Sequence, residues 1–440
     1  MKEEVTLNKQ QQEAVDLIVK WYKNYPNNKK QIFTLAGLAG CGKSFLVNHI
    51  VKNIFKFKDN EVAFATPTGK ASSVLIKKGS DSTTIHRLIY SPIITDIETV
   101  VNNKTIHSKK IEFTKRKNIG SYKLIVLDEI SMIGKKIMDD LLSYGIPILA
   151  TGDCGQLPPV LQEGHNLLDK PDYNLTEIVR QAKDSQILTI AHNARVGNEL
   201  QFGNYNDEAL VIDRHTLNDS EFINYLLTAD QVICGTNNTR IKLNNLIRRV
   251  TNHTSKLPDD NEKLICELNN YEVQFEDERF YLVNGLQGYV KNFKIIDEKL
   301  KLATISFKAD FLDDWVDNLL IDYSVFETNN YKYDKHQEVY LMSDGTYKLA
   351  NPKWKMSKTE NQAEYKKKLS IEFLNKKMSL GTFMLNQFQY GYAISCHKSQ
   401  GSQWDTVVII DEHNSFRQDG NKWLYTAITR AAKKVVVIKW

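Results

Sequence analysis

The run Gly37-Leu38-Ala39-Gly40-Cys41-Gly42-Lys43-Ser44 limits what this chain can fold into more than any other stretch. A glycine, four residues and then Gly-Lys-Ser is the spacing of a phosphate-binding loop. Such a loop needs a strand before it and a helix after it. Ile32-Phe33-Thr34-Leu35-Ala36 is apolar and partly β-branched, and reads as a buried strand, while Phe45, Val47, His49 and Ile50 open a helix. Gly37, Gly40 and Gly42 let the backbone N–H groups of the loop, Ala39 and Cys41 included, curl around a phosphate chain. The helix N-terminus adds a favourable dipole. Lys43 then reaches the β- and γ-phosphates, and the Ser44 hydroxyl takes a place on Mg²⁺. ATP and Mg²⁺ are the implied cofactors. A glycine turn with an exposed lysine is the bland alternative, and the strand–loop–helix context weighs against it.

A chain of 440 residues exceeds one ordinary core, so two or more domains are expected. The formal charge of +5 permits a nucleic-acid partner without requiring one. The five cysteines are scattered and form no C-x-x-C pair, which argues against a zinc site or a disulfide framework. That usage suits a reducing cytoplasm, the host's if the chain is viral. Met1-Lys2-Glu3-Glu4 has no apolar signal core and no stretch is long enough to span a bilayer, so no membrane partner is expected.

Asn8 is placed to cap a helix whose apolar face is Ala14, Leu17, Ile18 and Trp21, and a glutamine at its start can hydrogen-bond an adenine edge. The strand Val62 to Thr66 stops at Pro67-Thr68-Gly69-Lys70-Ala71, and Thr84-Ile85-His86-Arg87-Leu88 follows. Small hydroxyls, a backbone freed by glycine and a basic side chain suit a sugar–phosphate strand. Each taken alone reads equally well as a helix cap. Ser91 to Lys123 is polar and basic with interleaved isoleucines and Phe113, and reads as a protruding hairpin or else a solvated connector.

Lys123 to Leu127 is a buried strand ending in Asp128-Glu129. Carboxylates there fit metal and water chemistry: Asp128 holds Mg²⁺ through water and Glu129 polarises the attacking water. Past the strand Ile146 to Ala150, the Gln156 amide is placed to sense a γ-phosphate or orient water. Leu175 to Gln181 begins a second lobe with strands at Gln231 to Gly235, Gly391 to Ser395, Thr406 to Ile410 and Val435 to Ile438. Short apolar strands alternating with helices mean a parallel α/β sheet, here in two blocks. Between them, Thr251 to Gly381 differs in character: Glu272 to Phe307 is strand-like around a turn at Asn284 to Gly288 and suggests a small β-barrel, with a lysine-rich arm at Trp354 to Lys377.

Ligands of open parallel sheets bind at the C-terminal strand ends. Thr66, Asp128 and Asp153 fall there in lobe one, and Arg180, His397, Gln400 and Arg430 at comparable places in lobe two. The expected fold is therefore α/β, two RecA-like parallel-sheet lobes with nucleotide between them. An inserted hairpin, or pin, belongs to lobe one and a small β-barrel-like insertion to lobe two. The expected boundaries are 1–174 for the first lobe with its pin at about 91–120, 175–250 and 382–440 for the second, and 251–381 for the insertion. Lobe two would supply arginines that stabilise charge on the transferring phosphoryl group.

In their order along the chain these motifs resemble superfamily 1 DNA helicases of the 5′-to-3′ class, of the Dda type of bacteriophages and the RecD type of bacteria. The resemblance rests on Leu7-Asn8 with Gln11, Gly37 to Ser44, Thr66 to Ala71, Thr84 to Leu88, Asp128 to Met132, Gly152 to Val160, Leu175 to Arg180, Ala393 to Asp405 and Tyr425 to Arg430. It implies that Gln11 reads adenine, that Gln400 and Gly401 join the ATP site, and that Gln156 couples nucleotide state to movement. It implies arginine fingers at Arg180 and Arg430. Thr66, Pro67, Thr68, His86, Asn237, His397 and Lys398 would lie along a single DNA strand. The length leaves no room for an added nuclease domain. The partners expected are single-stranded DNA and single-strand/duplex junctions, with a monomeric protein and replication or recombination proteins around it. Strand separation would fall to Phe113, or to Ile106 or His107 at the hairpin tip. Two competing readings are a nucleotide-switched single-strand-binding ATPase with little unwinding, and a phosphate-loop kinase for a small molecule.

Overall fold

The computed structural model describes residues 7–28, 30–77, 79–101, 104–158, 167–179, 184–276, 280–328, 338–350 and 379–440. The side chains of 92–112 lie outside this description, as does the lysine-rich arm at 354–377. The chain divides into two compact units. One comprises residues 1–90, 115–251 and 392–440, and the other 91–114 and 252–391.

The first unit holds two six-stranded sheets. In lobe one the order across the sheet is Ser82–Thr84, Val62–Thr66, Leu124–Leu127, Ile148–Gly152, Ile32–Gly37, Tyr173–Leu175, every neighbour parallel. Parallel strands carry helices on both faces and so read as unbroken apolar runs. Leu124-Ile125-Val126-Leu127 is buried at every position. One face of the sheet packs on the helix Lys9–Asn28 through Ala14, Val15, Ile18 and Trp21, and the other on Ile85, Leu88, Ile89, Met138 and Leu141. Val15 takes the core place expected of Leu17, which is 40% exposed.

Lobe two repeats the plan. Its order is Ala393–Ser395, Gln231–Cys234, Trp404–Asp411, Ala431–Lys439, Ala209–Asp213, Gly203–Tyr205, with only the last strand antiparallel. The strand Ala393–Ser395 is stapled to the helix Asn237–Val250 by a reciprocal pair. Asn244 Nδ2 donates to Ala393 O (2.9 Å) and the Ala393 N–H donates to Asn244 Oδ1 (3.0 Å).

The second unit contains a two-stranded hairpin, Tyr90–Val101 with Lys104–Lys115, and an antiparallel sheet ordered Val316–Asp322, Leu302–Ala309, Gln287–Asp297, Lys263–Cys266, Phe388–Tyr390. An isolated bridge pairs Ile321, on the strand Val316–Asp322, with Asn386, two residues before the strand Phe388–Tyr390. The strand Phe388–Tyr390 pairs with Lys263–Cys266 in that sheet, so this unit runs to Gly391, past the boundary at 381 drawn from composition.

Candidate active site

A cleft with a water-accessible volume of about 210 Å³ opens between the two sheets of the first unit. Lobe one lines it with Ala39, Lys43, Ser44, Asp128, Glu129, Asp153 and Gln156; lobe two lines it with Gly401, Ser402, Gln403, Thr429 and Arg430. The lobe-one residues stand where the strands Ile32–Gly37, Leu124–Leu127 and Ile148–Gly152 end. Gly40 and Gly42 both adopt φ of +80°, a region that only glycine enters without strain, and Gly42 caps the helix Lys43–His49.

Lys43 Nζ donates to the carbonyls of Gly37 (2.7 Å) and Leu38 (3.0 Å). Burial works against its charge, but Asp153, Asp128 and Glu129 around it outweigh that and hold the ammonium above its usual pKa. Asp128 Oδ1 accepts from Thr151 Oγ1 (2.6 Å) and from the Glu129 N–H (3.0 Å), which fixes the carboxylate at the mouth of the cleft. Thr151 went unassigned in the sequence, where its only signal is a hydroxyl closing a buried strand. Glu129 has left-handed backbone, φ 56° and ψ 43°, a strained state for a non-glycine residue of the kind that clusters at functional sites. Burial, then the neighbouring Asp128, push its carboxyl up to about 7 against the pull of Arg430 and Lys43. Gln156 is buried, with Nε2 at 3.4 Å from Asp153 Oδ2 and no hydrogen-bond partner for Oε1 among the described residues.

Arg430 is 5% exposed, its guanidinium held by Thr426 O (3.0 Å), Ser402 O (3.3 Å) and Thr429 Oγ1 (3.1 Å). Arg180 lies outside the described residues. Gln400 is not in the cleft lining. Its Nε2 donates to Leu157 O (2.7 Å), so the amide joins the lobes, and Gly401 is the member of that pair facing the cleft. Gln11 forms a reciprocal capping box with Asn8: the Gln11 N–H donates to Asn8 Oδ1 (2.8 Å) and the Asn8 N–H to Gln11 Oε1 (3.1 Å). Its Nε2 donates to Cys41 O (3.4 Å), so the residue expected to read adenine holds the phosphate loop to the first helix. Tyr425 and Thr426, also unassigned in the sequence, cross the cleft. Tyr425 OH donates to Asp153 Oδ2 (2.7 Å) and accepts from the Ala39 N–H (2.7 Å), and Thr426 Oγ1 accepts from the Leu157 N–H (2.9 Å). Burial, then Asp153, drive the Tyr425 phenol far above its usual range, so it stays a donor.

The residues expected along a nucleic-acid strand hang from the strands at one edge of each sheet. Pro67 and Thr68 follow Val62–Thr66, His86 follows Ser82–Thr84, Asn237 follows Gln231–Cys234, and His397 and Lys398 follow Ala393–Ser395. Thr66 departs from expectation: it is fully buried and its hydroxyl donates to Thr68 O (2.9 Å), so it shapes the turn. Burial pulls the His86 imidazole down to about 4 and lowers His397 as well, so neither carries a charge at neutral pH. Asn237 is exposed. Phe113 stands two residues from the foot of the hairpin, not at its tip, packed edge-on against Tyr271 (5.0 Å between ring centroids) and Tyr281 (6.1 Å). The Ile106 and His107 side chains lie outside the described residues.

Two RecA-like sheets, a phosphate loop on one and an arginine from the other in a single cleft, define a two-lobed P-loop nucleotide-hydrolase architecture. The AAA domain model matches residues 6–216, and the UvrD-like helicase C-terminal domain model matches 390–438. The ATP-dependent RecD2 DNA helicase of Deinococcus radiodurans is 25% identical over 91% of this chain and 46% of its own length. The ATP-dependent DNA helicase Pif1 of Campylobacter jejuni is 25% identical over 90% of this chain and 86% of its own. The ATP-dependent DNA helicase dda of enterobacteria phage T4 is 26% identical over 57% of this chain and 58% of its own. An uncharacterised protein of Methanocaldococcus jannaschii, MJ1519, is 26% identical over 98% of this chain, which spans only 38% of it. Among solved structures, Bacteroides Pif1 bound to single-stranded DNA has 16% identity and a TM-score of 0.47 over 99% of this chain and 92% of that one. In both domain models and in these relatives the chain is similar to superfamily 1 helicases of the Pif1/RecD/Dda class. No helix among the described residues is long and apolar enough to cross a membrane.

Proposed function

We propose that this chain is an ATP-driven motor that moves 5′ to 3′ along single-stranded DNA as a monomer and opens duplex at a junction. The observation that carries the reading is the cleft in which Glu129, from lobe one, and Arg430, from lobe two, lie together. Glu129 takes the proton of the attacking water, and a base poised near neutrality suits that task. Arg430 neutralises charge that develops as the γ-phosphoryl leaves, and Arg180 is assigned the same work. Lys43 and the loop N–H groups hold the phosphates. Ser44 and Asp128, both facing the cleft, would hold Mg²⁺, whose chemistry there is to neutralise the β- and γ-oxygens. Two protein ligands suffice, because Mg²⁺ keeps waters and takes substrate oxygens for the rest. Hydrolysis opens and closes the cleft, and the edge residues Thr68, His86, Asn237, His397 and Lys398 pass the strand along. The hairpin excludes the second strand through its tip.

The deciding experiment compares duplexes with only a 5′ or only a 3′ single-stranded tail, alongside ATP hydrolysis with and without single-stranded DNA. Hydrolysis that rises with DNA, and displacement from the 5′ tail alone, is expected. Stimulated hydrolysis with no displacement from either tail would favour the nucleotide-switched binder, and hydrolysis indifferent to DNA would sink the motor.

A further inference from the structure

Tyr425 lies on the helix Gly420–Ile428, five residues before Arg430, and its side chain is wholly buried. A phenol hydroxyl in such a place is a burden unless its hydrogen bonds are made. Both of the bonds described for it go to the other lobe: Ala39, the third residue of the phosphate loop, and Asp153, which also bonds the Gly155 N–H (2.8 Å) beneath Gln156. The neighbouring cross-lobe bonds, those of Thr426 and Gln400, are made instead with the Leu157 backbone and not with the phosphate loop. Gly155 makes room for the ring. A Cβ there would come within 2.8 Å of Tyr425 Cε1 and 3.0 Å of Arg195 Cδ.

We propose that Tyr425 is a positioning residue of the ATP site, tying the phosphate loop and the Asp153–Gln156 turn to the helix that leads into Arg430. The inference rests on the ATPase reading above. When single-stranded DNA draws the lobes together, the hydroxyl sets where the phosphate loop stands as Arg430 arrives. Tyr425 thus governs the rate of the bound complex and leaves the holding of ATP to Lys43 and the loop backbone.

The test uses the full chain with Tyr425→Phe, which removes only the hydroxyl, and Gly155→Ala, which displaces the ring and keeps the hydroxyl. ATP affinity is measured with a fluorescent ATP analogue, hydrolysis by single turnover with and without single-stranded DNA, and folding by thermal melting. Tyr425→Phe is expected to keep affinity within threefold of the parent while DNA-stimulated hydrolysis falls about 10- to 100-fold, the scale for losing bonds to a buried charged group. Gly155→Ala should reproduce that split. Thr426→Val, which breaks a cross-lobe bond away from the phosphate loop, should lower hydrolysis less than Tyr425→Phe does. Equal losses of affinity and turnover, no loss at all, or the same split from Thr426→Val would each overturn the assignment. A parent protein inert toward ATP would sink the proposed function itself, whereas an active parent with an unaffected Tyr425→Phe sinks only this inference.

Discussion

The two lobes share a sheet plan and equip it differently. In lobe one the strand Ile32–Gly37 runs into glycines and Lys43, the groups proposed to hold phosphate. Lobe two brings to the same cleft Arg430 and Tyr425, which depend on where the other lobe stands. The contrast recurs at the edge strands. After Val62–Thr66 the Thr68 hydroxyl caps the helix, accepting from the Ala71 N–H (3.2 Å). After Gln231–Cys234, Thr236 caps the helix in the same way, but the Glu412 carboxylate also takes the Gly235 (2.7 Å) and Thr236 (2.9 Å) N–H groups and the Thr239 hydroxyl (2.6 Å). Under the proposed function, two sheets of similar plan would thus divide the work, ground-state binding in one lobe and transition-state stabilisation in the other.

The strongest way to break this contrast is to exchange the outcomes of its two main residues. Lys43→Ala should abolish turnover and leave single-strand binding intact, since the lysine faces the cleft and not the edge strands. Arg430→Ala should lower kcat about 10³-fold or more with little change in ATP affinity. An Arg430 variant that loses affinity and keeps kcat would erase the distinction between the lobes.

The acid cluster of lobe one sets the next effect. Glu129 must be ionised to act, and its folded pKa of about 7 lies above that of a free carboxyl. The kcat/KM profile, which reports the free enzyme, should therefore fall about tenfold per pH unit below 7, and that limb should vanish in residual Glu129→Gln activity. The same shift makes the folded chain bind this proton more tightly than the unfolded one. Its contribution to stability therefore declines as pH rises from about 4.5 to about 7, and Glu129→Gln should flatten that decline in denaturant titrations.

Replacing residues 103–110 with a short glycine turn should spare DNA-stimulated hydrolysis and lower unwinding about tenfold, within the stacking energy one side chain supplies. Strand displacement and hydrolysis measured on one preparation separate the two; undiminished displacement would remove the hairpin from the mechanism. The smallest effect belongs to the lobe-two edge. Glu412→Ala should cost about 1–3 kcal/mol in unfolding experiments, as expected for charge-assisted bonds to a helix start. No measurable cost would mean that the two edge strands are capped alike after all.

What was legible in the sequence shares one property: each signal sits within a few residues of its own structural cause. The phosphate loop, Asp128-Glu129 after a buried strand, and the Asn8 cap are local. Tyr425, Thr151, Gln400 and Phe113 were missed or misassigned because their partners lie far off in the chain. Tyr425 meets Asp153 across 272 positions and Gln400 meets Leu157 across 243. Phe113 shows the limit of reading by composition. A lone phenylalanine in a basic segment looked like a wedge, and the rings of Tyr271 and Tyr281, invisible to local pattern, hold it at the foot of the hairpin. The second unit extends past 381 for a similar reason, since Phe388–Tyr390 reads as any short buried strand until its partner Lys263–Cys266 is known.

The reciprocal bonding of Asn244 with Ala393 reaches beyond lobe two itself. It ties together the helix after which the chain departs and the strand on which it returns, so the two ends of residues 252–391 are held side by side by lobe two itself. A protein wired in this way has a socket. Under the proposed function, a change in the length of residues 252–391 would leave the two anchoring points of the motor lobe where they are.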